Sequence, residues 1–436
     1  MGTVIALIVF VYLTYKAFRL LNTPVGYLRS PYDKRQLMAC NGPELLLIFI
    51  FTTGTLGILP LLSIRLAILE ILCILALMSC KERPVISFPV ILYFIFVSWL
   101  VIGITYTPSV QYGVRMLLKY IYPLLIVLLT SAIVRNGEIF LKAMVNARKM
   151  AFVSIIIRSI PALGVVFGTV LWTGAALATH YIIIAIFSLS MAYFSNEKKK
   201  NLIWFVVFCL PCVMWVIRTD IMGTMIALSA FFIIKYRLKA VPVIAILACL
   251  SIASIFFIPS VKEKMFYNPN AVTIEDFLTN NVDENNINTS GRKKGWEDCQ
   301  RWFFDSHKAT GSGTGRVQTY FYEEALGWQR GGQLHNDFLV LMCDNGLVGL
   351  SLFALTYIAV LLHCIRLYKK YDTPMVKLCT ISAGAALFGV MITMYSDNTV
   401  SYSMVTLSYP WGLYGMALGL IKAEKQKKLC GNDRNG

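Results

Sequence analysis

Three basic side chains in the polar breaks of an otherwise apolar chain are of types that can move a proton or hold an anion. His335 stands where a long polar loop re-enters an apolar run, after Gly331-Gly-Gln-Leu and before Asn336. An imidazole there can accept a proton at neutral pH, and partial burial would tune it. A hydrogen-bonded interfacial histidine is the other reading of the same position. After nine further residues comes Gly346-Leu-Val-Gly349, whose small residues allow close helix packing at the head of a span. Arg218 sits between two apolar runs, in Trp215-Val-Ile-Arg-Thr-Asp-Ile-Met-Gly. An ionisable group near a bilayer is costly and usually faces an internal cavity; a surface arginine in a tight turn, paired with Asp220, fits the spacing equally well. Arg292 opens a segment whose aromatic residues (Trp296, Trp302, Phe303 and Phe304) give it an amphipathic helical character. That helix is expected to lie along the outer membrane–water interface, with Gly311-Ser-Gly-Thr-Gly315 breaking it.

Other chemistries find less support. A phosphate-cradling loop needs a glycine-rich turn running into Gly-Lys-Ser/Thr after a strand, whereas Gly311–Gly315 runs into Arg316-Val-Gln with no strand before it. It reads as a turn, or as a pliable segment near a substrate. The histidines are His180, His307, His335 and His363, and no pair has metal-ligand spacing; neither a metal nor a cofactor is expected. Most of the 11 cysteines fall inside apolar runs, including Cys209-Leu-Pro-Cys212, so they read as inert thiols.

The elements that must position these residues are membrane spans. Of the 436 residues 57% are hydrophobic and 14% charged, with a mean hydropathy of +0.65, whereas soluble domains carry roughly a quarter charged residues. The net charge of +17 is gathered in short segments between apolar runs (Lys198–Lys200, Arg237–Lys239, Lys369–Lys370, Lys422–Lys428), as the positive-inside rule expects of cytoplasmic loops. The charge thus reports topology, and nucleic acid is not an expected partner. Spans need about 20 apolar residues each, which gives about 12 or 13 of them, near 3–21, 44–63, 66–80, 86–106, 113–134, 151–171, 177–195, 201–217, 220–235, 241–259, 347–367, 376–395 and 402–421. The run Val4–Tyr15 lacks a basic flank and a cleavage site and is expected to stay as a first span. With the basic segments inside, Arg218, the 259–334 loop and Asp397-Asn398 all fall outside. The expected architecture is an all-α polytopic membrane protein. It has an N-terminal bundle (1–258), one large extracytoplasmic loop containing short helices (259–334), C-terminal spans (335–421) and a basic cytoplasmic tail (422–436).

His335-Asn336, nine residues, then Gly346-x-x-Gly349 resembles the signature of the O-antigen ligase and O-antigen polymerase family. Three further pieces resemble that family in the same order. Arg218-Thr-Asp-Ile-Met-Gly is similar to its arginine at an outer helix junction, with Ile217 where a serine is usual. Ser290-Gly-Arg292 with Trp296 is similar to its Gly-Arg-x-x-x-Trp element, and Gly311, Gly313 and Gly315 to its Gly-x-Gly-x-Gly turn. The first 200 residues match in hydropathy alone. The resemblance implies metal-independent, inverting glycosyl transfer from a polyprenyl-diphosphate-linked glycan to a glycan or lipid acceptor, in the bacterial inner membrane with the site on the outer face. It implies His335 as general base and Arg218 and Arg292 on the diphosphate, since guanidinium meets phosphate oxygens bidentately. It casts Asn336, Trp296 and the five glycines in support, and a chain-length regulator and a flippase as pathway partners. A polymerase of repeat units of a surface polysaccharide is favoured over a ligase to a lipid-A core or protein. A glycan transporter is the alternative of another class, but it predicts charges midway through the spans and two related halves, neither of which the sequence has.

Overall fold

Backbone in lipid must satisfy its own N–H and C=O groups, so apolar runs fold as helices. The computed structural model describes residues 2–33, 35–215, 217–279, 281–283, 286–289, 291–326 and 332–432. Val216, Ser290 and Gly331 of the motifs above lie outside these residues, as does the tail beyond 432. Helices dominate the chain, and the sheet among the described residues is one hairpin, Gly26–Arg29 with Leu37–Cys40. The protein is an all-α polytopic membrane protein.

The span count is lower than hydropathy suggests. Among the described residues seven helices are long and apolar enough to cross a membrane: Gly2–Leu21, Leu59–Ser79, Val110–Ile133, Gly174–Phe194, Arg218–Phe257, Asp337–Lys370 and Pro374–Met394. An eighth arises if Gly137–Ser159 and Pro161–Phe167, bent by 112°, form one span. The other runs among the 12 or 13 expected also fold as helices, but as shorter ones or ones with local breaks. The 44–63 run yields the 12-residue helix Gly42–Thr53, followed by Ile58 in the left-handed region at φ 52°. The 86–106 run yields the 17-residue Phe88–Ile104. The 201–217 run belongs to Lys198–Met214, which carries its lysines at its head and Pro211 inside. The runs 220–235 and 241–259 form two helices, Arg218–Tyr236 and Val241–Phe257, joined by a 3₁₀ turn at Arg237–Ala240 where Arg237 has φ 55°. The last helix, Ser408–Asn432, buries Trp411, Tyr409 and Tyr414 in protein. Conversely, Val241–Phe257 buries none of its residues.

Two packing arrangements place the functional residues. The Arg218–Tyr236 helix runs antiparallel to Pro374–Met394 at close range: a Cβ added to Gly223 would stand 3.0 Å from the Gly389 carbonyl, while Ile234 meets Gly384. Small residues permit that approach, and it carries Arg218 to the end of the bundle where Ser396-Asp397-Asn398 follow. The second is a latch at the break in Asp337–Lys370. Gly346 has φ 67° and interrupts the helix, and the 307–317 segment crosses the gap. Leu347 N–H donates to the Lys308 carbonyl at 2.8 Å and Val348 N–H to that of Ala309 at 3.2 Å. Asp344, buried beside the break, accepts the Gly315 N–H at 2.8 Å and the Val317 N–H at 2.9 Å on its two carboxylate oxygens.

A side chain at Gly346 would bring a Cβ to 2.2 Å from the Ala309 carbonyl oxygen in a backbone region that disfavours it. Gly346→Ala is therefore expected to destabilise by at least about 2 kcal/mol, read as a drop in the thermal unfolding midpoint in detergent. Gly174→Ala, whose methyl would meet nothing within 4 Å, is expected to leave the midpoint unchanged.

Candidate functional site

Ser396, Asp397 and Asn398 follow the Pro374–Met394 helix, and each holds part of the site. The Ser396 carbonyl accepts from Arg292 Nη1 at 2.5 Å. The Asp397 carboxylate lies 3.4 Å from His335 Nδ1 through Oδ1, and the same oxygen accepts the Asn398 N–H at 2.8 Å. The Asn398 side chain accepts the His335 backbone N–H at 3.0 Å and sets its Nδ2 3.0 Å from His335 Nδ1. Asn398 Nδ2 also donates to Gln333 Oε1. The turn is tied to the next helix by Val400 N–H, which donates to Asp337 Oδ2 at 2.8 Å. Asn336 caps that helix, its Oδ1 accepting the Leu339 N–H at 3.0 Å.

His335 itself has φ 53°, a conformation that a non-glycine residue keeps only where its surroundings over-determine it. Here Asn398 grips it at two points. Trp296 does the same one residue earlier, donating its Nε1–H to the Leu334 carbonyl at 2.7 Å while its ring packs near Tyr395. The imidazole is about one-third exposed and Asp397 one-tenth. The contact with Asn398 Nδ2 uses a lone pair on Nδ1, whereas the contact with Asp397 uses a proton there; which one the ring makes sets its tautomer. With the proton on Nδ1 and directed at the carboxylate, Nε2 carries the lone pair and the ring can act as a base. The carboxylate then stabilises the imidazolium that results.

Arg292 is the first residue of the helix Arg292–Cys299, entered through Gly291 at φ 73°. Burial draws its guanidinium below the usual arginine value, and the Asp397 carboxylate opposes that shift. Arg292 and His335 line one cavity of about 360 Å³, together with Trp302, Tyr320 and Gln333. That volume is in the range of small-ligand sites. Arg218 stands close enough to Arg292 for the two charges to oppose each other. Its Nη1 donates to the carbonyls of Lys264 and Asn288, both at 2.7 Å, so it also pins two points of the loop that leads to Arg292. Asp220, the neighbour that sequence spacing offers to Arg218, is buried and accepts the Thr179 hydroxyl at 2.9 Å.

The structure therefore brings His335, Arg292, Trp296 and Asn336 together, with Arg218 on the flank. The glycines of the 311–315 turn do other work. Their N–H groups are already committed: Gly311 to the His307 carbonyl at 2.7 Å, Gly313 to that of Asp344 at 2.9 Å and Gly315 to the Asp344 carboxylate. An anion finds no free cradle there. With Gly346 these glycines let the loop lie against the broken helix, while a Cβ at Gly349 would meet Asn345 Cβ at 2.5 Å and the Trp99 ring at 3.2 Å. The amphipathic segment also differs from expectation. Phe303 and Phe304 are buried in protein and Trp302 is exposed, because a wide turn at Gln300–Phe304 carries the phenylalanines onto the bundle instead of the membrane surface. Phe303 packs on Tyr320 with ring centroids 5.6 Å apart, and the Arg316 guanidinium covers it at 4.4 Å.

Sequence reading missed the roles of Asp397, Asn398 and Asp344. Asp397-Asn398 was visible as a polar pair between two apolar runs; nothing in its spacing linked it to a histidine 62 residues earlier. Among the described residues no three His, Cys, Asp or Glu side chains come together to hold a metal ion. His180 is fully buried with Nδ1 3.0 Å from the Val405 carbonyl, a packing role. No curated protein matches the chain. The family model described as O-antigen ligase matches residues 212–354, an interval that contains Arg218, Arg292, Trp296, the glycine turn and His335 through Gly349.

Proposed function

From the premise that the chain belongs to the O-antigen ligase and polymerase family through residues 212–354, we propose that it transfers a glycan from a polyprenyl diphosphate to an acceptor hydroxyl with inversion. The observation that carries this reading is the shared cavity: a histidine able to take a proton and an arginine able to hold a diphosphate line the same 360 Å³ space. Attack on an anomeric carbon needs both. His335 takes the proton from the acceptor hydroxyl as its oxygen bonds to the anomeric carbon. The bond from that carbon to the diphosphate oxygen breaks, and the diphosphate leaves with an added negative charge. Arg292, with Arg218 beside it, meets that charge in a partly buried site where donors are worth more than in water. Asp397 holds the imidazole and steadies its charged form.

The acceptor in this reading is a second lipid-linked chain, making the protein a polymerase of surface-polysaccharide repeat units at the outer face of a bacterial cytoplasmic membrane. The clustering of basic segments at the far ends of the Arg218–Tyr236 and Asp337–Lys370 helices supports that orientation. The printed family description favours a second reading, ligation to a different acceptor. A polymerase lengthens lipid-linked chains when given donor alone, and a ligase gives product only when the second acceptor is added.

In proteoliposomes supplied with a polyprenyl-diphosphate-linked glycan, His335→Ala is expected to lower the transfer rate by roughly 10²–10⁴-fold while the protein inserts and expresses normally. Transfer at the wild-type rate would remove the general-base role. Arg292→Lys keeps the charge and loses the planar fork, and its kcat is expected to fall at least about tenfold (~1.4 kcal/mol). Near-normal turnover would mean that a point charge is enough.

A further inference from the structure

At the opposite end of the bundle lies a larger cavity of about 540 Å³, roughly 40 Å from His335 along the Asp337–Lys370 helix at 1.5 Å per residue. Its polar wall carries Arg366, Lys370, Lys422 and Lys425, with no acidic residue among the lining side chains. Its remaining wall is largely apolar and includes Leu367, Leu418 and Ile421. Glu82, just outside, is shared between Arg135 at 2.8 Å and Lys422 at 3.0 Å. Among the described residues Arg366, Lys370 and Lys425 make no salt bridge to an acidic side chain. One acidic group thus serves two cations while three more face the same space.

A basic cluster that only fixes topology can sit on an open surface, its charges dispersed in water. Here the cations converge on a concave space between the ends of two helices and the 84–87 segment, over an apolar floor that includes Leu367, Leu418 and Ile421. Facing the same space, His363 Nδ1 meets Tyr414 Oη at 2.5 Å, and that hydroxyl meets Ser87 Oγ at 2.8 Å, a polar chain that stiffens the floor. Concentrated positive charge over apolar surface at a membrane boundary fits a molecule with a phosphate at one end and hydrocarbon at the other.

We propose that this cavity binds the phosphate headgroup of an anionic phospholipid, with Arg366, Lys370 and Lys425 on the phosphate and an acyl chain along Leu418 and Ile421. The site is separate from the His335 cavity and does not rest on the transfer reaction.

The test titrates detergent-purified full-length protein with phosphatidylglycerol, with phosphatidylcholine and with inorganic phosphate, following the unfolding midpoint and lipid retention by native mass spectrometry. Phosphatidylglycerol is expected to bind at least ten times more tightly than phosphatidylcholine. The triple variant Arg366→Gln/Lys370→Gln/Lys425→Gln is expected to lose that preference, and Lys198→Gln/Lys199→Gln/Lys200→Gln, which removes equal charge elsewhere, to keep it. Equal loss in both variants would mean diffuse attraction and overturn the proposal. Inorganic phosphate matching phosphatidylglycerol would overturn the lipid as occupant. Should the triple variant fail to fold, a photoreactive phosphatidylglycerol on unmodified protein decides: label in 84–87, 363–371 or 418–426 supports the site, and label elsewhere contradicts it.

Discussion

The arrangement of the site depends on one short turn, Ser396-Asp397-Asn398, in which backbone and side chains are all in use. A carbonyl holds Arg292, a carboxylate faces His335, and an amide grips both the backbone and the ring of the same histidine. Side chains from a loop and a helix junction 43 residues apart in the chain, Arg292 and His335, are thus referred to three consecutive residues. The chemistry asks for this, since an acid–base group and an anion clamp must keep a fixed separation through a reaction, and small misplacements are costly.

The turn is rigid because of what lies behind it. Asp337 ties it to the start of the Asp337–Lys370 helix, and the close glycine packing of Gly223 on Gly389 fixes where Pro374–Met394 ends. The left-handed backbone at His335 is an unfavourable conformation, kept by the bonds from Asn398 and Trp296 on either side of it. Further along the same helix, the break at Gly346 lets the 307–317 segment lock onto Asp344 and Asn345, with Trp99 Nε1 donating to the Asn345 carbonyl at 3.0 Å. The loop that carries Arg292 is thereby fastened at both ends of the helix segment that His335 precedes, and no single element holds the site alone.

Much of this was legible in the sequence, for physical reasons. Apolar runs separated by basic clusters report a polytopic helical protein without any motif, because lipid leaves the backbone no other option. His335, Arg218 and Arg292 were visible because charged and titratable groups are expensive beside a bilayer. The span count was not legible. Hydropathy is blind to a break such as the one after Thr53, and it does not say that a run such as 402–421 packs its aromatic residues into protein. The glycine turn reads in the sequence as a turn or as a pliable segment near a substrate, and its N–H groups are spent on Asp344 and its neighbours; a pattern of glycines shows that backbone approaches something closely and does not say what. Asp397 is visible in the sequence only as a polar residue at a helix end, since its partnership with His335 arises from the antiparallel pairing of the consecutive helices Asp337–Lys370 and Pro374–Met394.

In the proposed reaction Asp397 acts through His335, so the two form one functional unit. Transfer rates in proteoliposomes for wild type, His335→Ala, Asp397→Asn and the double variant measure this directly, because residues that act as a unit are strongly non-additive. The expected result is that Asp397→Asn slows transfer on its own but has no further effect once His335 is alanine, the double variant matching His335→Ala within about twofold, or ~0.4 kcal/mol. Multiplicative losses, with the double variant slower by the product of the single effects, would contradict it.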